Sequence, residues 1–327
     1  MTDGEFNELM AQAFDLIDND EFDQALKIGL DLEKLRFSGG FEVQALALSA
    51  QDRSEEAMAV LERGVAVAPV WLLWQMLGNL RSDAGRCDEA LEAYRAAAEL
   101  PGADTISLDY NWAHALSRAE RLGEAETRLL PLLKPGALDD ADPHLRLLIW
   151  TTHADLLNAQ ARPADALAFV EGLTFGEDDD GYPEERASIE AERAVALTVL
   201  GPPGAAEASA LEAIAYDKSC DTAQWVLREV RADADASNAK YMRVMVEGRW
   251  HAPLEDERGD TPPGFFATYE VMADDEAEAL AFIKEFEPAA VRDSLVVSEC
   301  EVLASPEQPK GVYLAAPGYA FFSEEEE

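Results

Sequence analysis

Four histidines (His114, His144, His153 and His251) and three cysteines (Cys87, Cys220 and Cys300) are the soft metal-ligating and nucleophilic groups of this 327-residue chain. No pair of histidines stands in an HxxxH or HExxH spacing, which would put two imidazoles on one helical face, and no CxxC occurs. His144 and His153 are nine residues apart, a separation without ligand geometry. Each histidine therefore reads as a structural or surface group. The cysteines are odd in number and widely spaced, which argues against a disulfide framework or a zinc site and for a reducing compartment, the cytoplasm. GxSxG, GxxxxGK(S/T) and GxGxxG are absent, so no nucleophile elbow, phosphate cradle or dinucleotide fingerprint is expected.

The carboxylates are numerous but not arranged for catalysis. EDDDG at 177–181 lacks the alternating ligands and distal glutamate of a calcium loop and reads as a solvated loop. Asp274 and Asp275 open an amphipathic stretch, where they complement a helix dipole. No cofactor, no metal and no enzymatic activity are expected. With 66 acids against 26 Lys and Arg, the net charge is −40. Such a field repels nucleic acid and anionic membrane surfaces and attracts basic partners, and it also keeps a surface soluble. The N-terminus, MTDGEFNELM, has no apolar core of a signal peptide, and no run approaches the length of a membrane span.

The elements that would carry a binding surface are repeated. WLLWQMLGNLRSDAGRCDEALEAYRAAAELPGAD, residues 71–104, is a 34-residue unit with Trp74, Leu77, Gly78, Ala90, Tyr94 and Ala97 at helical spacing and Gly85 between two helical stretches. It resembles a tetratricopeptide repeat, with Arg81 standing where a tyrosine is usual. In such a hairpin Gly78 and Ala90 are small because the helices approach closely, Gly85 turns the chain, and Asp88 is placed to cap the second helix. The small second-helix residue recurs at Ala25, Ala57, Ala90, Ala125, Ala166 and Ala206, with spacings of 32, 33, 35, 41 and 40. First-helix partners fall at Ala13, Ala45, Gly78, Ala113, Ala154 and Ala194. The longer spacings coincide with PGALDDADP (135–143) and TFGEDDDGYPEE (174–185), rich in turn formers and acids. DTAQWVLREVR (221–231) then supplies a helix to cover the last hairpin.

Past ADADASN (232–238), which reads as a linker, the pattern changes to strands over 240–250, 265–272 and 294–304. A helix over 274–287 turns Ala279, Phe282, Ile283 and Phe286 inward, and GVYLAAPGYAFF (311–322) adds a strand broken by Pro317 and Gly318. The expected fold is multi-domain: an all-α helical-repeat solenoid of about six hairpins with a capping helix over 1–231, then a small α+β domain over 239–323 and an acidic tail at 324–327. The layout of the small domain is similar to that of α+β domains in bacterial toxin-immunity proteins.

The tetratricopeptide resemblance implies a concave groove lined by the first helix of each hairpin. Carried over position by position, it assigns partner-binding roles to Gln75, Asn79 and Asp83, to Tyr110, Asn111 and His114, and to Thr151, Asp155 and Asn158. Repeats that hold acidic chaperone tails carry groove lysines, and this groove has none, so a basic or neutral protein partner is expected. Two functions follow: a protein-interaction scaffold or adaptor, and, as the alternative, an immunity or antitoxin-type inhibitor covering a basic toxin. Self-association is left open.

Overall fold

A computed structural model describes residues 3–202, 204–232, 239–250, 264–303 and 309–322. They pack as two compact units, Met1–Ala141 and Asp142–Glu327. The first unit holds four helical hairpins: α1 (Asp3–Asp18) with α2 (Phe22–Lys34), α3 (Ser38–Ser49) with α4 (Ser54–Val67), α5 (Trp71–Asp83) with α6 (Cys87–Ala98), and α7 (Thr105–Arg118) with α8 (Leu122–Leu129). The second holds two more, α9 (Pro143–Ala159) with α10 (Pro163–Glu171) and α11 (Pro183–Leu200) with α12 (Ala205–Tyr216), followed by α13 (Asp221–Val230) and a sheet with one helix.

The hairpins close as the small-residue ladder requires. Ala13, Ala25, Ala45, Ala57, Ala90, Ala113, Ala125, Ala154, Ala166 and Ala194 are all 0 % exposed. At Gly78 a methyl group would come within 2.5 Å of the Tyr94 ring. The glycine thus admits an aromatic side chain that is itself 1 % exposed and donates its hydroxyl to Asn79 Oδ1 at 2.8 Å. Arg81, in the usual tyrosine position, pairs with Glu62 at 3.1 Å and donates to the Glu89 carbonyl.

The turns repeat as faithfully as the helices. Asp20, Asp52, Gly85, Glu120 and Ala161 all have left-handed φ, between 57° and 74°, and each stands five residues before its buried alanine. Only one of the five is glycine. The next residue takes the N-cap place of the second helix and reaches its first turn. Arg53 forks onto Glu56, Arg121 onto Glu124, and Arg162 bonds Asp165. In the first hairpin the polarity is reversed, Gln24 donating to Glu21. Arg86 departs from this and pairs with Glu55 of the preceding hairpin at 2.6 Å. These pairs are exposed and act on turn geometry more than on stability. Asp88 is therefore not the cap expected from sequence: α6 starts at Cys87 and Arg86 precedes it, so Asp88 sits in the first turn, facing the dipole without a capping bond.

In the second unit EDDDG forms a 3-10 turn, Glu177–Gly181, and is not simply a solvated loop. Asp179 is 0 % exposed; it accepts from Arg146 at 2.6 Å and from the Gly176 amide at 2.7 Å. Burial with two charge-assisted or backbone donors makes it a strut under α9. The sheet comprises β1 (Lys240–Gly248), β2 (Gly264–Ala273), β3 (Val296–Leu303), β4 (Gly311–Ala315) and β5 (Ala320–Phe322). It is antiparallel in the order β3-β1-β2-β4, with β5 pairing the start of β2, and α14 (Glu276–Phe286) packs on it through Ala279, Ile283 and Phe286. β3 is an edge strand among the described strands, with Glu299 and Glu301 exposed along it.

Helices and sheet of this unit share one core, running from Ala194 and Ala210 through Val226 to Val244, Phe265 and Val312. α13 covers α11 and α12 on one side and meets β4 on the other. The linker read at 232–238 lies, apart from Ala232, outside the described residues, as does the tail at 324–327. Beneath the shared core sits a buried ionic cluster. Lys218, in the turn between α12 and α13, pairs with Glu287 at 3.2 Å, and Glu287 is 1 % exposed. Tyr269 donates to the same carboxylate oxygen and Tyr319 to the other at 2.7 Å, while the Lys218 ammonium lies 3.9 Å from the Tyr319 ring centre. Burial pushes the Lys218 amine down and both phenols up.

Ala90→Leu should overpack the α5–α6 contact and cost about 1–3 kcal/mol in denaturant unfolding; an unchanged midpoint would refute the register. Ala161→Gly should relieve a left-handed alanine and gain about 0.5–1 kcal/mol, whereas Gly85→Ala, whose added methyl meets nothing within 4 Å, should lose a similar amount.

Candidate functional site

The groove positions expected from the repeat pattern are placed unit by unit. In the first unit Gln75 is 8 % exposed and exchanges bonds with the Ser107 hydroxyl, Nε2 to Oγ at 3.3 Å. Asn79 accepts from Tyr94, and Asn111 donates to the Ser107 carbonyl at 2.9 Å. Asp83 is exposed and paired with Arg118 at 3.3 Å, and the Tyr110 and His114 rings lie 6.3 Å apart. α5 and α7 are neighbours, so these six residues share one region, but Gln75, Asn79 and Asn111 are bonded within the array. In the second unit Thr151 bonds back to the Leu147 carbonyl, Asp155 is exposed, and Asn158 donates to Glu192.

Asp155 and Asn158 line a cleft of about 690 Å³ in the second unit. α9 supplies these two residues, α11 supplies Glu192 and Val195, α13 supplies Asp221, Thr222, Gln224, Trp225 and Arg228, and β4 supplies Tyr313. Asn158 Nδ2 donates to both the carboxylate and the carbonyl of Glu192, at 2.8 and 2.9 Å. Glu192 is 8 % exposed, and its pKa is pushed up to about 7, chiefly by burial; the Asp155 charge adds to the rise and the Asn158 bond opposes it. Arg228 donates to the Val312 carbonyl at 2.5 Å and lies 4.2 Å from the Tyr313 ring centre. Trp225 is 43 % exposed.

Glu192, Asp221, Gln224, Trp225 and Arg228 were not assigned to a site from the sequence; all but Glu192 lie on α13, which stands outside the repeat. One signal was present: Glu192 interrupts an apolar stripe of Ile189 and Ala196 at helical spacing. Among the described residues no group of three or more His, Cys, Asp or Glu is placed to hold a metal ion, and no helix is long and apolar enough to cross a membrane. The arrangement offers hydrogen-bond acceptors, negative charge and an aromatic face.

Glu192 sets a pH dependence with a definite sign. Between its ordinary 4.5 and about 7 the folded chain keeps a proton that the unfolded chain has released, so stability falls as pH rises through that window. Glu192→Gln keeps an acceptor for Asn158 and removes the buried charge. It should stabilise the protein by roughly 3 kcal/mol above pH 7 and by little near pH 4; equal melting shifts at both pH values would show that Glu192 is solvated.

No family model matches the chain, and no curated protein matches it. Solved structures do. The APC/C hetero-tetramer Cut9-Hcn1 aligns at TM-score 0.47 and 16% identity over 67% of this chain, which spans only 41% of that one. BtubC (BKLC) from P. vanneervenii aligns at TM-score 0.44 and 16% identity over 65% of this chain and 91% of its own. YrrB, a TPR protein with an unusual peptide-binding site, aligns at TM-score 0.43 and 18% identity over 62% of this chain and 95% of its own. Within the chain itself the 34-residue unit, the buried small-residue ladder and the left-handed turn of the first five hairpins make the helical array TPR-like in fold.

Proposed function

We propose that this protein is a non-catalytic interaction scaffold that holds a basic or neutral segment of another protein against the inner helices of its array. The observation that carries this reading is the cleft of the second unit, where Asp155, Glu192 and Asp221 converge beside an exposed Trp225 on rigid helices. The net charge of −40 supports a basic partner over nucleic acid or an anionic membrane. In unit 1 the groove positions Gln75, Asn79 and Asn111 are bonded within the array, and Asp83 is paired with Arg118. Three free cysteines fit a reducing, cytoplasmic setting.

An inhibitor of a basic toxin uses the same acidic surface and differs only in its partner. The charge favours this second reading as much as the first.

Affinity capture with the whole chain as bait, in cell lysate at low and then moderate salt, tests both. A basic protein retained at low salt and released as salt rises is expected. Retention of nothing, or of nucleic acid, would overturn the scaffold reading. A captured protein that arrests growth only when expressed without this chain would identify the inhibitor.

A further inference from the structure

β3 is bonded to β1 along one side only, and among the described residues no backbone bond outside that ladder reaches Val296–Leu303. Alternate N–H and C=O groups of the strand therefore point away from the sheet with no strand to receive them. The register divides its side chains into two rows. Leu303, Glu301 and Glu299 stand opposite Tyr241, Arg243 and Met245, while Val302 and Cys300 stand opposite Met242 and Val244. Met242 and Val244 are buried, so the second row belongs to the core face, yet its Val302 is 61 % exposed. The core layer thus ends in an uncovered valine. The first row carries carboxylates, Glu299 and Glu301 both being exposed. The pairing skips Ser298, a bulge that leaves Glu299–Leu303 as the regular run.

Natural sheets often blunt such an edge with lysine or proline, and VVSECEVL has neither. Its only charges are the two carboxylates, two residues apart on one face. They favour an incoming strand with lysine or arginine at alternate positions. The sheet itself shows the reach required. Arg243, on the neighbouring strand and opposite Glu301, holds a guanidinium nitrogen 3.7 Å from the Glu301 carboxylate. A strand added on the open side stands at the ordinary spacing of about 4.8 Å, so its cations reach the same row from the other flank. Side chains alternate, so the residues between those cations fall on the core face, beside Cys300 and Val302. An apolar side chain there extends the core layer. Backbone bonds hold the strand, and the two rows select its sequence.

We infer that the open side of β3 takes up an extended segment of a partner protein as an added strand, with lysine or arginine beside Glu299 and Glu301 and an apolar side chain beside Val302. The inference rests on the basic partner of the scaffold reading and gives the C-terminal sheet a contact of its own.

The test uses the whole chain and three capped heptapeptides. One is Lys-Val-Lys-Val-Lys-Val-Lys, the second is its glutamate counterpart Glu-Val-Glu-Val-Glu-Val-Glu, and the third is Lys-Pro-Lys-Pro-Lys-Pro-Lys. The proline peptide has the charge of the first but cannot pair as a strand. The readouts are the backbone amide resonances of Glu299–Leu303 and their hydrogen exchange. The lysine–valine peptide should shift these resonances saturably and slow exchange at alternate amides of the run. The other two should bind at least about tenfold more weakly. Glu299→Lys/Glu301→Lys should weaken the lysine–valine peptide about tenfold and admit the glutamate–valine peptide. Glu92→Lys/Glu99→Lys, an equal change of charge at exposed positions of the first unit, should leave both as they were. Melting curves confirm that each variant is folded, and the proline comparison needs no variant. No saturable shift on β3, equal binding of the proline peptide, or indifference to the reversal of Glu299 and Glu301 would overturn the assignment. A basic protein captured from lysate that binds Glu299→Lys/Glu301→Lys as tightly as the native chain would remove this edge and leave the scaffold standing.

Discussion

The second unit depends on a lysine that cannot be left alone. Lys218 is buried against Glu287, and the carboxylate is completed by two tyrosine hydroxyls. Removing any one partner would strand a charge or a polar group away from water, which is far more costly than the pair itself is favourable. The cluster joins four separate stretches of chain: the turn ahead of α13, strand β2, the residue after α14, and the segment before β5. It thereby fixes where α13 begins. The Lys218 carbonyl in turn holds the Gln224 amide, so the same residue that anchors the sheet also orients a wall of the cleft.

This coupling explains what could be read from the sequence and what could not. Ala25, Ala57, Ala90 and their first-helix partners were legible because close helix approach leaves no room for a larger side chain, and that constraint is local to each hairpin. The strands and the single helix of the C-terminal region were legible from alternation and amphipathic spacing. The left-handed turns were hidden, since Asp20, Asp52, Glu120 and Ala161 take a conformation that sequence reasoning assigns to glycine. Asp88 was misplaced by two residues because the arginine before the helix occupies the cap position.

The site was less legible than the fold for a different reason. Groove positions carried over from a repeat pattern assume that first-helix polar groups look outward. Here Gln75 and Asn79 satisfy Ser107 and Tyr94 instead, because neighbouring helices supply partners before any ligand does. The cleft of the second unit requires a helix and a strand more than eighty residues apart, Arg228 of α13 bonding Val312 of β4. No periodicity within either segment announces that meeting. Its acidic loop was likewise read as solvent-facing, whereas Asp179 is drawn inside by Arg146.

The edge of the sheet has a consequence of another kind. Among the described strands β3 has a neighbour on one side only, and it carries the exposed Val296 and Val302, the kind of edge on which a second strand adds by backbone pairing. Glu299 and Glu301 stand along the same strand, within a chain already carrying forty excess negative charges. Two copies approaching edge to edge would bring these carboxylates together. Mutual repulsion between the two rows opposes such pairing, and the opposition weakens as salt screens the charges.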